Sequence, residues 1–260
     1  MGGNALAGKF EEGVAAFSVV DYATAYRLWL PLANQGNAAA QFNLGAMYHE
    51  GQGVSQDYAE AMKWFRKAAQ QGNAEAQYSL GIMYRFGQGV PQDDVEAGKW
   101  NHKAAEQGYA GAQHNLGVSY HDGEGVPQDY SEAVKWTRKA AEQGNELAQF
   151  NLGLMYHDGQ GVSQDDVKAV KWFRKAAEHG YSEAQYNLGI MYRTGQGIPQ
   201  DYVQAHKWFN LTAANNSNKT GREKAASNRD ITAGKMTAAQ VAEAQKLARE
   251  WKPKSSALGK

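Results

Sequence analysis

Apolar and small residues return along this chain on two nested periods. In the stretch 37–72, Ala40, Leu44, Met47 and Tyr48 fall at i, i+4, i+7 and i+8, one stripe of an α-helix. After a polar break, Ala61, Trp64, Phe65, Ala68 and Ala69 form the stripe of a second helix. The break carries the punctuation such a pair needs. Gly51 and Gly53 end the first helix, one of them in the left-handed conformation of a C-terminal cap. Val54 interrupts the polar loop and is expected to tuck into the core. Asp57 opens the second helix as its N-cap, with Glu60 spaced for a capping box. Asp93/Glu96 and Asp129/Glu132 repeat that pair, while Asp165 and Asp201 keep the cap alone. Gly45, inside the first helix, costs about 1 kcal/mol relative to alanine. It is expected where a neighbour passes too close for a Cβ.

The longer period is 36 residues. Leu44/Gly45/Tyr48, the Gly51-x-Gly53 pair and Trp64 recur at that step through Leu188/Gly189/Tyr192, Gly195/Gly197 and Trp208. The units run 37–72, 73–108, 109–144, 145–180 and 181–216. Fixed self-similarity at this period marks a helical solenoid, whose usual product is binding surface. Residues 1–36 read as a degenerate unit lacking the glycine loop, with Phe10, Gly13, Val14 and Phe17 suited to its first helix. Residues 217–252 read as capping helices, the last starting at Thr237 with Val241, Ala244, Ala248 and Trp251 on one face. Residues 253–260 are expected to be a disordered tail. Unit one matches unit four at 26 of 36 positions, a sign that a three-unit block was duplicated.

Charge and composition narrow the function. The 260 residues carry 27 basic and 27 acidic side chains, so no global field favours nucleic acid or anionic lipid. No stretch reaches the roughly 20 apolar residues of a membrane span. With no cysteine, disulfides and thiolate metal sites are excluded. Ala5-Leu6-Ala7 has the small-x-small form of a signal-peptidase site, with Met1-Gly2-Gly3 standing in place of a hydrophobic leader; the alternative is an alanine-rich helix start.

The pattern Ala-Gln-x-Asn-Leu-Gly-x-Met-Tyr-x-x-Gly-x-Gly-Val-x-Gln-Asp, closing on Lys-Trp-x-x-Lys-Ala-Ala, runs nearly unbroken through residues 36–214. It resembles the Sel-1-like repeats, relatives of the tetratricopeptide repeats. The resemblance implies an all-α, right-handed superhelical solenoid of antiparallel helix pairs, used for protein–protein interaction. It also implies a bacterial protein, periplasmic or secreted, with a cytoplasmic location as the alternative. The chain departs from disulfide-linked members in lacking cysteine, which argues against carrying over their cell-wall and β-lactam-related activities.

In the related repeats the first helix of each pair lines the concave surface. One position there gives Phe42, Tyr78, His114, Phe150 and Tyr186. The position four on gives Ala46, Ile82, Val118, Leu154 and Ile190, and the position seven on gives His49, Arg85, His121, His157 and Arg193. The next residue gives Glu50, Phe86, Asp122, Asp158 and Thr194. These spacings share one helical face. They predict an apolar, aromatic floor with a basic or histidine edge, suited to an extended segment or a partner helix. The alternative is that the aromatics only pack between neighbouring first helices. Asn43, Ser79, Asn115, Asn151 and Asn187 form a further ladder, expected to hydrogen-bond between repeats rather than to clamp a peptide terminus.

Other chemistry fits less well. His114, His121 and His157 lie on helices roughly 10 Å apart, too far for imidazoles that must converge at about 2.1 Å on zinc. No nucleophile–base set is legible. Lys63, Arg66 and Lys67 and their equivalents read as a solvated outer face offset by Glu60. The chain therefore reads as a monomeric, non-enzymatic scaffold for a protein or peptide, with neither cofactor nor metal. The alternatives are a binder or weak hydrolase of bacterial cell-wall fragments, or a purely structural or designed repeat protein.

Overall fold

The computed structural model describes residues 2–255, with side chains from Gly8 onward. Ala5-Leu6-Ala7 and Met1 to Gly3 fall outside the described side chains, and residues 256–260 fall outside the described chain. All regular structure among the described residues is helical. The helices group into two compact units, residues 1–128 and 129–260.

The first unit holds α1 (Gly2–Ser18), α2 (Tyr22–Asn34), α3 (Ala38–Glu50), α4 (Tyr58–Gln70), α5 (Ala74–Phe86), α6 (Asp94–Glu106) and α7 (Ala110–Asp122). Each helix packs on the next in sequence. Asn37 and Asn73 cap α3 and α5, accepting from Ala40 N and Ala76 N at 2.8 and 2.7 Å. Gly51 takes φ +69° at the C-cap of α3, as a left-handed cap requires. Gly45 is glycine because a Cβ there would lie 2.6 Å from the Phe65 ring. Its close neighbour is thus a side chain of the partner helix. Val54 packs into the core around Leu44 and Trp64, as its place in the loop suggested.

The second unit holds α8 (Tyr130–Glu142), α9 (Glu146–Asp158), α10 (Asp166–Glu178), α11 (Ser182–Thr194), α12 (Tyr202–Asn215), α13 (Lys219–Ala233) and α14 (Ala238–Glu250). Ala244 and Ala248 of α14 are buried, and Trp251 meets Trp208 edge-on at 6.2 Å. Of the residues expected as a disordered tail, only 253–255 are described. Lys254 N donates to Glu178 O at 2.8 Å, and its ammonium pairs with the Glu178 carboxylate at 2.6 Å.

Two local expectations are corrected. Asp57, Asp93, Asp129, Asp165 and Asp201 do cap their helices, but Glu60 does not complete a box. The Asp57 N–H already donates to Tyr48 O at 2.9 Å, so Glu60 pairs with Lys63 instead. A capping box does form at Thr237 and Gln240. The outer arginines are also not merely solvated. Arg66 donates to Tyr84 Oη, Arg138 to Tyr156 Oη and Arg174 to Tyr192 Oη, at 2.7, 2.9 and 3.0 Å, tying each repeat to the next.

A ladder that the sequence reading did not single out runs through the core. Gln41, Gln77, Gln113, Gln149 and Gln185 are buried, and each donates to a carbonyl of the preceding helix. Gln71 and Gln107 in turn donate to Gln41 and Gln77. His179 and Asn215 stand where a further glutamine would serve Gln149 and Gln185. Gln149 Oε1 and Gln185 Oε1 accordingly have no partner.

Candidate functional site: the first-helix faces

In the first unit α3, α5 and α7 present the predicted stripe. Phe42 lies on Phe65 at 5.7 Å between ring centroids, and Tyr78 on Tyr109 at 5.0 Å. Both rings remain half-buried, as do Ile82, His114 and Val118. Phe86, two turns beyond Tyr78, is 65 % exposed. A cavity of about 340 Å³ opens on this face, walled by Phe42, Ala46, His49, Phe65, Tyr78 and Ile82. Four of the predicted residues therefore share one concave site.

The predicted basic edge has a second role. Arg85 pairs with Glu124 at 2.7 Å, and His49 Nε2 lies 3.1 Å from Gln88 Oε1. Glu124 and Gln88 are the central residues of the next repeat's Gly-x-Gly loop, so each basic residue tethers a loop. His49 also contacts Glu50, and His121 contacts Asp122, both at 2.6 Å. Burial, the dominant cause, holds the His114 pKa below the usual histidine range; the nearby Arg85 charge acts in the same direction.

The asparagine ladder divides. Asn115 hydrogen-bonds across repeats to Tyr78 and also to His114. Ser79 and Asn187 donate instead to carbonyls of their own helices. The recurring bond between repeats is thus carried by the glutamines.

In the second unit, α9 and α11 present the same stripe. Phe150 lies between Phe173 and Tyr181 at 5.8 and 5.1 Å, with Leu154 half-buried beside it. A cavity of about 380 Å³ is lined by Phe150, Tyr186 and Asn187 and continues to Asn216, Gly221 and Lys224. His157 pairs with Asp166 at 2.7 Å. Two predicted residues are engaged by the cap: Asn228 of α13 donates to Tyr186 Oη at 3.0 Å and accepts from Arg193 at 2.6 Å. α13 thus occupies these side chains as a further repeat would. No periodic signal points to this contact, because α13 lacks the repeat pattern.

Among the described residues no three His, Cys, Asp or Glu side chains gather as a metal site. No described helix is long and apolar enough to cross a membrane.

The family model described as the Sel1 repeat matches residues 38–73, 74–109, 110–145, 147–181 and 182–217. No curated protein matches the sequence. Among solved structures, a Sel1 repeat protein from Oxalobacter formigenes is similar at 33 % identity over 95 % of this chain and 98 % of its own, with a TM-score of 0.76. A protective antigen present in uropathogenic Escherichia coli strains, displaying an SLR fold, is 32 % identical over 95 % of this chain and 68 % of its own, with a TM-score of 0.45. A Sel1 repeat protein from Klebsiella pneumoniae is 26 % identical over 79 % of this chain and 97 % of its own, with a TM-score of 0.48. The backbone comparison rests on the first of these.

Proposed function

The chain belongs to the Sel1 repeat family, whose members are in general protein-interaction scaffolds, and on that premise we propose that its first-helix faces hold a segment of a protein partner. The observation that carries this is the pair of cavities. Each is built on aromatics from adjacent first helices, Phe42 with Tyr78 and Phe150 with Tyr186, 108 residues apart. Packing alone would bury these rings, yet they stay half-exposed, and Phe86 extends the stripe into solvent. Aromatic floors supply contact area at low entropic cost. Arg85, His49, His121 and His157 form the rim, where polar groups set register more than affinity.

The proposal assigns the chain no chemistry of its own and takes it to act as a monomer. It also takes the protein to be periplasmic or secreted, which fits the bacterial origin of its relatives and is checked by cell fractionation. The test of the binding face is affinity capture from an extract with wild type, Ile82→Glu/Phe86→Glu, and a second-helix control, Lys63→Ala/Lys99→Ala. The first pair abolishes capture with an unchanged melt and the control does not. Capture that survives the first pair and fails in the control puts the binding face on the second helices.

A further inference from the structure

One buried position of the last repeat carries a titratable ring where its counterparts carry none. Met62, Gly98, Val134 and Val170 recur at the 36-residue step, and the next member of that series is His206 in α12. His206 is 2 % exposed, and its Nδ1 has no hydrogen-bond partner. In the second repeat this position meets the glycine loop of the following unit: a Cβ on Gly98 would touch Gly125 O and Val126 at 3.5 and 3.6 Å. No such loop follows α12, which packs instead on α13 and α14.

These surroundings accept the neutral ring and not the charged one. Protonation would place an N–H at Nδ1 with no acceptor, and a charge where water cannot reach it. Burial, the largest cause, accordingly holds the His206 pKa below the usual histidine range; the Arg229 charge acts in the same direction and Asp230 against it. Arg229 and Asp230, both on α13, pair with each other at 2.9 Å, so that carboxylate is already matched. α11 and α14, the other helices packed on α12, bring no charged group to bear on the ring. The nearby lysines are turned elsewhere, Lys207 over Trp208 at 4.4 Å and Lys235 over Tyr202 at 5.6 Å.

The seat of the cap holds a second orphan. Trp208, which meets Trp251 beyond α14, has a buried Nε1 without a partner. Trp136 Nε1 donates to Glu132 at 3.0 Å, but the residue four before Trp208 is Gln204. We propose that His206 makes the cap an acid-sensitive latch, whose protonation releases α13 and α14 from α12 and frees Tyr186 and Arg193 from Asn228. Opening hydrates the ring and returns it to the ordinary histidine pKa of about 6.5. A closed cap that takes only the neutral ring is favoured above that value and loses ground as pH falls below it. Between pH 7.5 and 5.5 the opening equilibrium should rise about tenfold. The inference does not depend on where a partner binds.

Amide hydrogen exchange of the full-length protein at the two pH values, expressed as protection relative to the intrinsic rate at each, reads this opening. The variant is His206→Val, the residue of Val134 and Val170, with His206→Met, that of Met62, should the valine variant fail to fold. In wild type, protection of α13 and α14 is expected to fall about tenfold from pH 7.5 to 5.5, while α9 and α10 in the same unit keep theirs. In the variant, cap protection is expected to change by less than about twofold. Wild-type cap protection that stays constant overturns the inference, as does a fall of equal size in the variant. A fall that α9 and α10 share in full marks global unfolding and overturns it as well.

Discussion

The buried glutamine ladder contains its own control experiment. Gln77 donates to Ala69 O at 3.1 Å and accepts from Gln107 Nε2 at 2.8 Å. Gln149 makes the equivalent donation to Ala141 O at 3.2 Å, but its Oε1 has no donor. Replacing either by alanine removes the same buried side chain, so the packing loss is common to both. It also removes one hydrogen bond to a carbonyl of the preceding helix, which keeps its backbone bond from Gly72 N or Gly144 N, at about 0.5–1.5 kcal/mol in each case. The difference lies at Oε1. Gln77→Ala breaks a further hydrogen bond of about 0.5–1.5 kcal/mol, whereas Gln149→Ala relieves an unsatisfied acceptor. Gln77→Ala should therefore destabilise by about 1.5–4.5 kcal/mol more than Gln149→Ala, the lost bond and the relieved acceptor adding. The assay is urea unfolding followed by circular dichroism, compared only where the slope with denaturant is unchanged, because repeat arrays can lose two-state behaviour. Equal losses, or a larger loss for Gln149→Ala, would refute the assignment of the ladder's hydrogen bonds.

Three further outcomes follow from particular contacts. Gly45→Ala would ordinarily gain helix propensity, but its Cβ would meet the Phe65 ring at 2.6 Å; the melting temperature should fall, and a rise would show the ring to be free to move. Burial lowers the His114 pKa, so the unfolded chain binds its proton first as pH falls. The stability His114 contributes is full above the ordinary histidine pKa of about 6.5 and is lost as pH drops below it; His114→Phe should flatten the dependence of the urea midpoint between pH 7.5 and 5.5, and an unchanged slope would count against it. Truncation after Asn218 removes the Asn228 bonds to Tyr186 and Arg193, the Trp251–Trp208 contact and the Lys254 tether; amide exchange in α11 and α12 should rise first, and unchanged exchange there would deny α13 and α14 a capping role.

The fold was legible because a 36-residue period fixes which residues must meet. The stripe of Leu44, Met47 and Trp64, the left-handed glycine at Gly51 and the aspartate caps all follow from local spacing and need no tertiary information. Contacts made across repeats were harder to read. The Gln41 series stood in plain view within the recurring Ala-Gln pair, but a glutamine on a helix normally reads as surface. Only its strict recurrence beside small core residues could have flagged it as buried. The partners of His49 and Arg85, Gln88 and Glu124, sit 39 residues on in the next loop, beyond the reach of spacing within one helix. The burial of Asn101 and Thr137 was hidden for the opposite reason: each departs from the phenylalanine held at Phe65, Phe173 and Phe209, and a departure has no periodic signal of its own. The engagement of Tyr186 and Arg193 by α13 could not be read at all, since their partner Asn228 belongs to no repeat.

The central claim, that the first-helix faces hold the partner, is tested most directly by site-specific photo-crosslinking in cells. A benzophenone side chain is placed singly at Phe86 or Asp122 on the first helices, and at Lys63 or Lys99 on the second. All four positions are exposed, or have exposed side chains, so the substitutions leave the core intact. Discrete adducts to a protein partner from Phe86 and Asp122, with none from the two lysine positions, are the predicted result. Adducts from Lys63 and Lys99 with none from Phe86 and Asp122 would contradict it.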